Sequence, residues 1–123
     1  MDMEIRGKRV LVTGGSKGIG FHCGMAFAAE GCDVILASRD ATALEAAAGQ
    51  IRGRHNVHVA IHAGDLSKPD ERAALHDAHP EIDILVNNAG AIPGGTVHDI
   101  TLDRWIDAWN LKVFGYIHLT QLY

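Results

Sequence analysis

A chain of 123 residues can bury one domain's core and is short for two. Its 47% hydrophobic and 21% charged residues are ordinary globular usage, which argues against disorder and against a membrane protein. The net charge of −4, with basic residues scattered along the chain, gives no electrostatic footprint for nucleic acid. Apolar runs last only a few residues against the roughly 20 that a bilayer span needs. The N-terminus MDMEIRGKRV lacks a signal-peptide pattern, so a cytoplasmic protein is expected. Cys23 and Cys32 have no paired spacing and read as small buried thiols.

Short β-branched runs alternate with alanine-rich segments of helical period. Arg9 to Thr13 reads as a first strand, apolar enough for burial on both faces of a parallel sheet. From Gly18 to Glu30 the residues Ile19, Cys23, Ala26 and Phe27 share one face of a predicted helix that Gly31 stops. Asp33 to Ala37 is strand two. Leu44, Ala47, Ala48 and Ile51 repeat the helical spacing up to Gly53, and Val57 to Ile61 is strand three. Ser67-Lys-Pro-Asp70 opens a third helix, with Ser67 as cap, the proline where a missing N–H costs nothing, and acids at the positive helix end. Ile82 to Val86 is strand four. After a glycine-rich loop from Gly90 to Gly95, the residues Leu102, Ile106, Trp109, Val113 and Ile117 mark a fourth helix running to the end.

This (βα)4 pattern implies right-handed crossovers, parallel strands and ligands at the strands' C-terminal ends. Four segments follow directly after strands and therefore converge on one edge: Gly14 to Gly20, Ser38-Arg39, Asp65, and Asn87 to Gly90. In the first of them, TGGSKGIG, the glycines at 14, 18 and 20 do not match G-x-G-x-x-G. It is not a P-loop either, because Phe21 stands where lysine is required. The physical logic of an anion cradle holds all the same: residues without Cβ turn the chain sharply and let a ligand approach the N–H groups of a helix's first turn. The eight histidines, including His22, His55, His58 and His62, lie in no metal-ligand pattern and read as surface or core residues.

TGGSKGIG, Asp65-Leu66, NNAG at Asn87 to Gly90 and NLKVFG at Asn110 to Gly115, in that order and at those separations, resemble the short-chain dehydrogenases/reductases over roughly the first half of a family member. The resemblance implies a Rossmann-like doubly wound parallel sheet of order 3-2-1-4, and one dinucleotide-binding domain lacking the family's C-terminal half. It assigns Gly14, Ser16, Lys17, Gly18, Ile19 and Gly20 to contact with the cofactor's pyrophosphate and ribose, Asp65 and Leu66 to its adenine, and Asn88, Ala89 and Gly90 to the cofactor's side along the central strands. Asn87 is expected to be structural, pairing backbone groups. Where an acid at position 38 would hold the ribose hydroxyls of NAD, the sequence has Ser38-Arg39 with Lys17 near, which favours NADP; Asp40 keeps NAD as the alternative.

Asn110 matches the family's helix asparagine, which helps to hold a water in a proton relay; Asp103 stands where family members commonly have tryptophan. The implied activity is interconversion of an alcohol and a ketone or aldehyde, by a soluble dimer or tetramer acting on a small-molecule substrate. The family's serine and Tyr-x-x-x-Lys do not occur here, since Tyr116 is followed four residues later by Thr120 and Tyr123 is last. The 123 residues alone are therefore expected to be inactive, and a non-catalytic dinucleotide-binding half-domain is the alternative. Strand four is expected at an edge where the family has a fifth strand.

Overall fold

The computed structural model describes residues 2–123. Four parallel strands, β1 (Arg9–Thr13), β2 (Asp33–Ser38), β3 (Val59–Ala63) and β4 (Ile84–Val86), form one sheet in the order β3-β2-β1-β4. Leu11 lies opposite Ile35 on one side and Leu85 on the other, and Leu36 lies opposite Ile61. The period-two alternation of a strand sends successive side chains into two different cores. Val10, Val12, Val34 and Leu36 face α1 (Gly18–Ala29) and α2 (Ala41–Arg54), with Leu44 and Ile51 fully buried among them. Leu11, Ile35 and Ala37 face the other layer, packing with Leu75 of α3 (Pro69–Ala78) and Leu119 of α5 (Gly115–Leu122). Truncating any of these leucines to alanine is expected to cost about 2–5 kcal/mol.

Strands three and four begin two residues later than their apolar runs predict, and in both cases an aspartate sets the boundary. The His58 amide donates to Asp33 Oδ1 at 3.0 Å. The Arg9 amide donates to Asp83 Oδ2 at 2.8 Å. Side-chain acceptors there occupy positions that a ladder carbonyl would otherwise take. The period of α1 is as expected but its phase is not: Gly20, Gly24 and Ala28 are buried, whereas Ile19 is 77% exposed. Small residues bring the helix close to the sheet, since a Cβ on Gly24 would stand 3.0 Å from Leu36 Cδ2.

Ser67 does not cap α3. Its hydroxyl and amide both donate to Asp65 Oδ1, at 2.7 and 3.1 Å, in a local turn that leaves Lys68 at the cap position without a side-chain bond. Pro69, Asp70 and Glu71 do occupy the first turn. The single fourth helix expected to run to the end is instead α4 (Leu102–Trp109), a π-helical turn at Asn110–Phe114, and α5. Its apolar stripe exists but faces outward: Leu102, Ile106, Trp109 and Ile117 are about half exposed or more, and Ala108, Gly115 and Leu119 face inward.

Candidate dinucleotide cleft

The C-terminal ends of all four strands border one open cleft of about 440 Å³. It is lined by Gly14, Ser16, Lys17 and Gly18 after β1, by Ser38, Arg39 and Asp40 at the end of β2, by Gly64, Asp65 and Leu66 after β3, and by Asn88 to Ala91 after β4. Eleven of the thirteen expected cofactor-binding residues are thus brought together; Ile19 and Gly20 stand outside the lining, and so does Asn110.

Gly14 and Gly18 have φ of +65° and +58°, a region that side chains disfavour. Gly14 does not offer its N–H to the cleft, because that group donates to the Ala37 carbonyl at 2.7 Å. Its lack of Cβ instead makes room for the chain after β4: a Cβ would stand 2.9 Å from Ala89 Cα. At Gly20 a Cβ would collide with the Gly14 carbonyl and the Asn88 amide, so this glycine serves packing behind the cleft wall. Donors for an anion come from the start of α1. Lys17 is at its cap position, no side chain bonds its first amides, and no acid sits in its first turn. In α2, by contrast, Asp40 accepts from the Ala43 amide at 3.0 Å.

Thr13, fully buried, ties the loops together. Its Oγ1 accepts from the Asn88 and Ala89 amides, each at 3.0 Å, and donates to the Val86 carbonyl at 3.3 Å. Asn88 Nδ2 donates to the Thr13 and Gly14 carbonyls at 3.1 and 3.2 Å. It is therefore Asn88 that pairs backbone groups, the part expected of Asn87; Asn87 Nδ2 donates to Thr120 Oγ1 at 3.2 Å, and its Oδ1 is buried without a partner.

The cleft's polar groups divide by charge. Lys17 and Arg39 form no ion pair among the described residues. Ser38 Oγ is buried with no hydrogen-bond partner among the described residues, an orphaned polar group in the lining. The Ser67 hydroxyl bond holds the Asp65 carboxyl below its ordinary range against the opposing effect of burial, with the Ser67 amide, Lys68 and Arg39 adding to it. Asp65 is thus a stable carboxylate whose protein bonds converge on one oxygen.

Sequence reasoning missed Gly64, Ala43, Ala91 and Leu111 in the lining, because they carry no distinctive chemistry. It also missed Arg72, a buried cation that reaches the site only through the fold. Tyr116 is committed to the Ala89 carbonyl at 2.8 Å and Tyr123 to the His79 carbonyl at 2.8 Å. No helix among the described residues is long and apolar enough to cross a membrane.

Residues 8–123 match the family described as short chain dehydrogenase. An uncharacterized oxidoreductase of Bacillus subtilis is 34% identical over 98% of this chain and 46% of its own length. The sorbose reductase of Schizosaccharomyces pombe is 32% identical over 96% of this chain and 49% of its own. Among solved structures, an L-sorbose reductase from Gluconobacter frateurii complexed with NADPH and L-sorbose superposes with a TM-score of 0.92 at 32% identity, covering 99% of this chain and 48% of that one. The chain spans about half the length of the relatives it matches.

Proposed function

Because the chain belongs to the short chain dehydrogenase family, we propose that it forms the dinucleotide-binding half of an NADP(H)-dependent oxidoreductase interconverting an alcohol and a ketone or aldehyde. One observation carries the reading: the four loops after the four strands meet around one cleft that holds an uncapped helix start and, among the described residues, two unpaired cations and a buried, unpartnered hydroxyl. The amides at Gly18, Ile19 and Gly20 would face the pyrophosphate. Ser38, Arg39 and Lys17 would hold a 2′-phosphate, Arg39 through its planar fork. Asp65 and the Leu66 backbone would receive the adenine, and Asn88, Ala89 and Gly90 would border the part nearer β4. The bound cofactor would supply or accept the hydride. Asn110 would serve the proton relay, through its place at the widened turn rather than by contact with the cleft.

NADPH-bound structures among the relatives, the L-sorbose reductase included, support a nicotinamide dinucleotide. Asp40 weighs less toward NAD than its position implies, because its carboxylate is engaged in capping α2. We further place the protein in the cytoplasm as a dimer or tetramer acting on a small-molecule carbonyl or alcohol. A second reading, a half-domain that binds cofactor without catalysis, is favoured for the 123 residues acting alone by the absence of Tyr-x-x-x-Lys within them and by the engaged hydroxyls of Tyr116 and Tyr123. Fluorescence titration with NADPH and NADH tests the cofactor assignment. Tighter NADPH binding is expected, and equal affinities or an NADH preference would overturn it. Turnover by these 123 residues alone would eliminate the second reading.

A further inference from the structure

Arg72 lies on α3, is 4% exposed, and pairs with no carboxylate among the described residues. A buried guanidinium is costly to desolvate, so its neutral partners define what it does. Its Nη1 donates to the Leu66 carbonyl at 2.7 Å and to the Asn110 carbonyl at 3.2 Å, and its Nε donates to His118 Nδ1 at 2.9 Å. The first carbonyl belongs to a residue of the cleft wall. The second opens the π-helical turn, where the backbone departs from α-helical geometry. Gly115 closes the arrangement. A Cβ there would stand 3.3 Å from the Asn110 carbonyl oxygen, 3.4 Å from that of Leu66 and 3.7 Å from Arg72 Nη1, so only a glycine leaves this convergence uncrowded. Burial pushes the Arg72 guanidinium below its ordinary value, yet arginine stays charged in this range, and its donors remain in place.

We propose that Arg72 is a positioning residue that couples the Leu66 wall of the cleft to the Asn110 turn, so that dinucleotide binding and the geometry at Asn110 are set together. A methionine or leucine would fill the same space and hold neither carbonyl. Residues 66 and 110 are far apart in sequence, and one nitrogen bridges them. The inference rests on the reading of the cleft as a dinucleotide site, and one arm of its test does not.

The test is amide hydrogen exchange on wild-type protein and Arg72→Met, each with and without NADPH. Without cofactor, Arg72→Met is expected to speed exchange at residues 66–68 and 113–115 together by about tenfold, the loss of a charge-assisted bond, with β1 unchanged. With NADPH, wild-type protein should gain protection at 113–115, which lie outside the cleft lining, and Arg72→Met should lose that gain while keeping protection at 66–68. Wild-type exchange at either segment of the variant, or undiminished NADPH protection at 113–115, would overturn the coupling. Should Arg72→Met not fold, Gly115→Ala leaves Arg72 in place and crowds both carbonyls. It should loosen the same two segments, and wild-type exchange in that variant would count against the proposal. A wild-type protein that ignores both NADPH and NADH would remove the dinucleotide reading, with the cofactor-free comparison still deciding whether Arg72 bridges the two segments.

Discussion

Gly18 and Gly20 stand two residues apart in one loop and are needed for different reasons. Gly18 has φ of +58° and open space around its missing Cβ, so alanine there meets backbone strain alone, about 1–2 kcal/mol. At Gly20 the obstacles are the Gly14 carbonyl and the Asn88 amide, which are held by other bonds and have little room to retreat. Gly20→Ala is expected to lose at least ~3 kcal/mol. Urea unfolding of both variants decides it; equal losses would mean that the loop relaxes and that packing is not Gly20's role. The sequence showed that glycines were required here, because only they permit the turn. Which glycine meets a ligand and which meets Asn88 was not legible, since β4 arrives from about seventy residues away in the chain. At Arg39, reversing the charge removes a fork suited to phosphate and adds repulsion. Arg39→Asp should weaken NADPH by roughly thirtyfold while leaving NADH within about threefold. A variant that still prefers NADPH would take Arg39 out of cofactor selection.

At the scale of elements, local sequence reported period well and phase poorly. Helix α1 was legible from its apolar spacing, but its buried face is Gly20, Gly24 and Ala28 because the sheet rewards close approach over side-chain bulk. The fourth helix shows the same limit. Asparagine's low helix propensity marked Asn110 as unusual. The π-helical turn there is bonded by Arg72 at its Asn110 carbonyl and packed closely at Gly115, contacts that no local pattern contains. Helix caps were read no better than phase: Ser67, expected to cap α3, bonds Asp65 instead, and Asp40 was not read as a cap. Asp40 caps α2 by accepting from the Ala43 amide, and it also borders the cleft. Asp40→Ala should cost about 1 kcal/mol of unfolding free energy, whereas Asp40→Asn, which keeps an acceptor at the cap, should cost only a few tenths. Both variants remove a negative charge beside Arg39 and should tighten NADPH. A thermal melt paired with the titration separates the two roles, and equal stability losses in the two variants would show that the cap bond contributes nothing.

Over the whole molecule, strand order and the single cleft followed from the alternation of elements and from loops placed after strands, both of which are global consequences of parallel topology. The molecule's response to pH depends on contacts across layers that the sequence did not display. His62 on β3 and His79 after α3 stack edge to face with ring centroids 6.0 Å apart. Burial holds both below the ordinary value of 6.5; Glu71 partly opposes this at His62, and the neighbouring His62 and Arg9 reinforce it at His79. A histidine depressed in the fold stabilises it above pH 6.5, and that contribution is lost as pH falls through its folded value, because the unfolded chain takes the proton first. Tyr123, on the same side of the sheet, is pushed by burial from 10 up to about 12, so its contribution holds below pH 10 and is lost as pH rises toward 12. A stability plateau between about pH 7 and 9 follows, because the buried Cys32 thiol, raised from 9 chiefly by burial, and Tyr116, raised from 10 by burial, join Tyr123 on the alkaline side. Solvent screening softens both shoulders where the histidines and tyrosines are only partly buried. Urea midpoints measured from pH 5 to 11 should trace it. Replacing His62 and His79 together by glutamine should flatten the acid shoulder and leave the alkaline one untouched, whereas Tyr123→Phe should shrink the alkaline shoulder without removing it, because Cys32 and Tyr116 still contribute there. An acid shoulder that survives the double replacement would shift its origin to other groups; the Asp65 carboxylate is not among them, because its contribution is lost only as pH falls below its ordinary 3.8, outside the range measured.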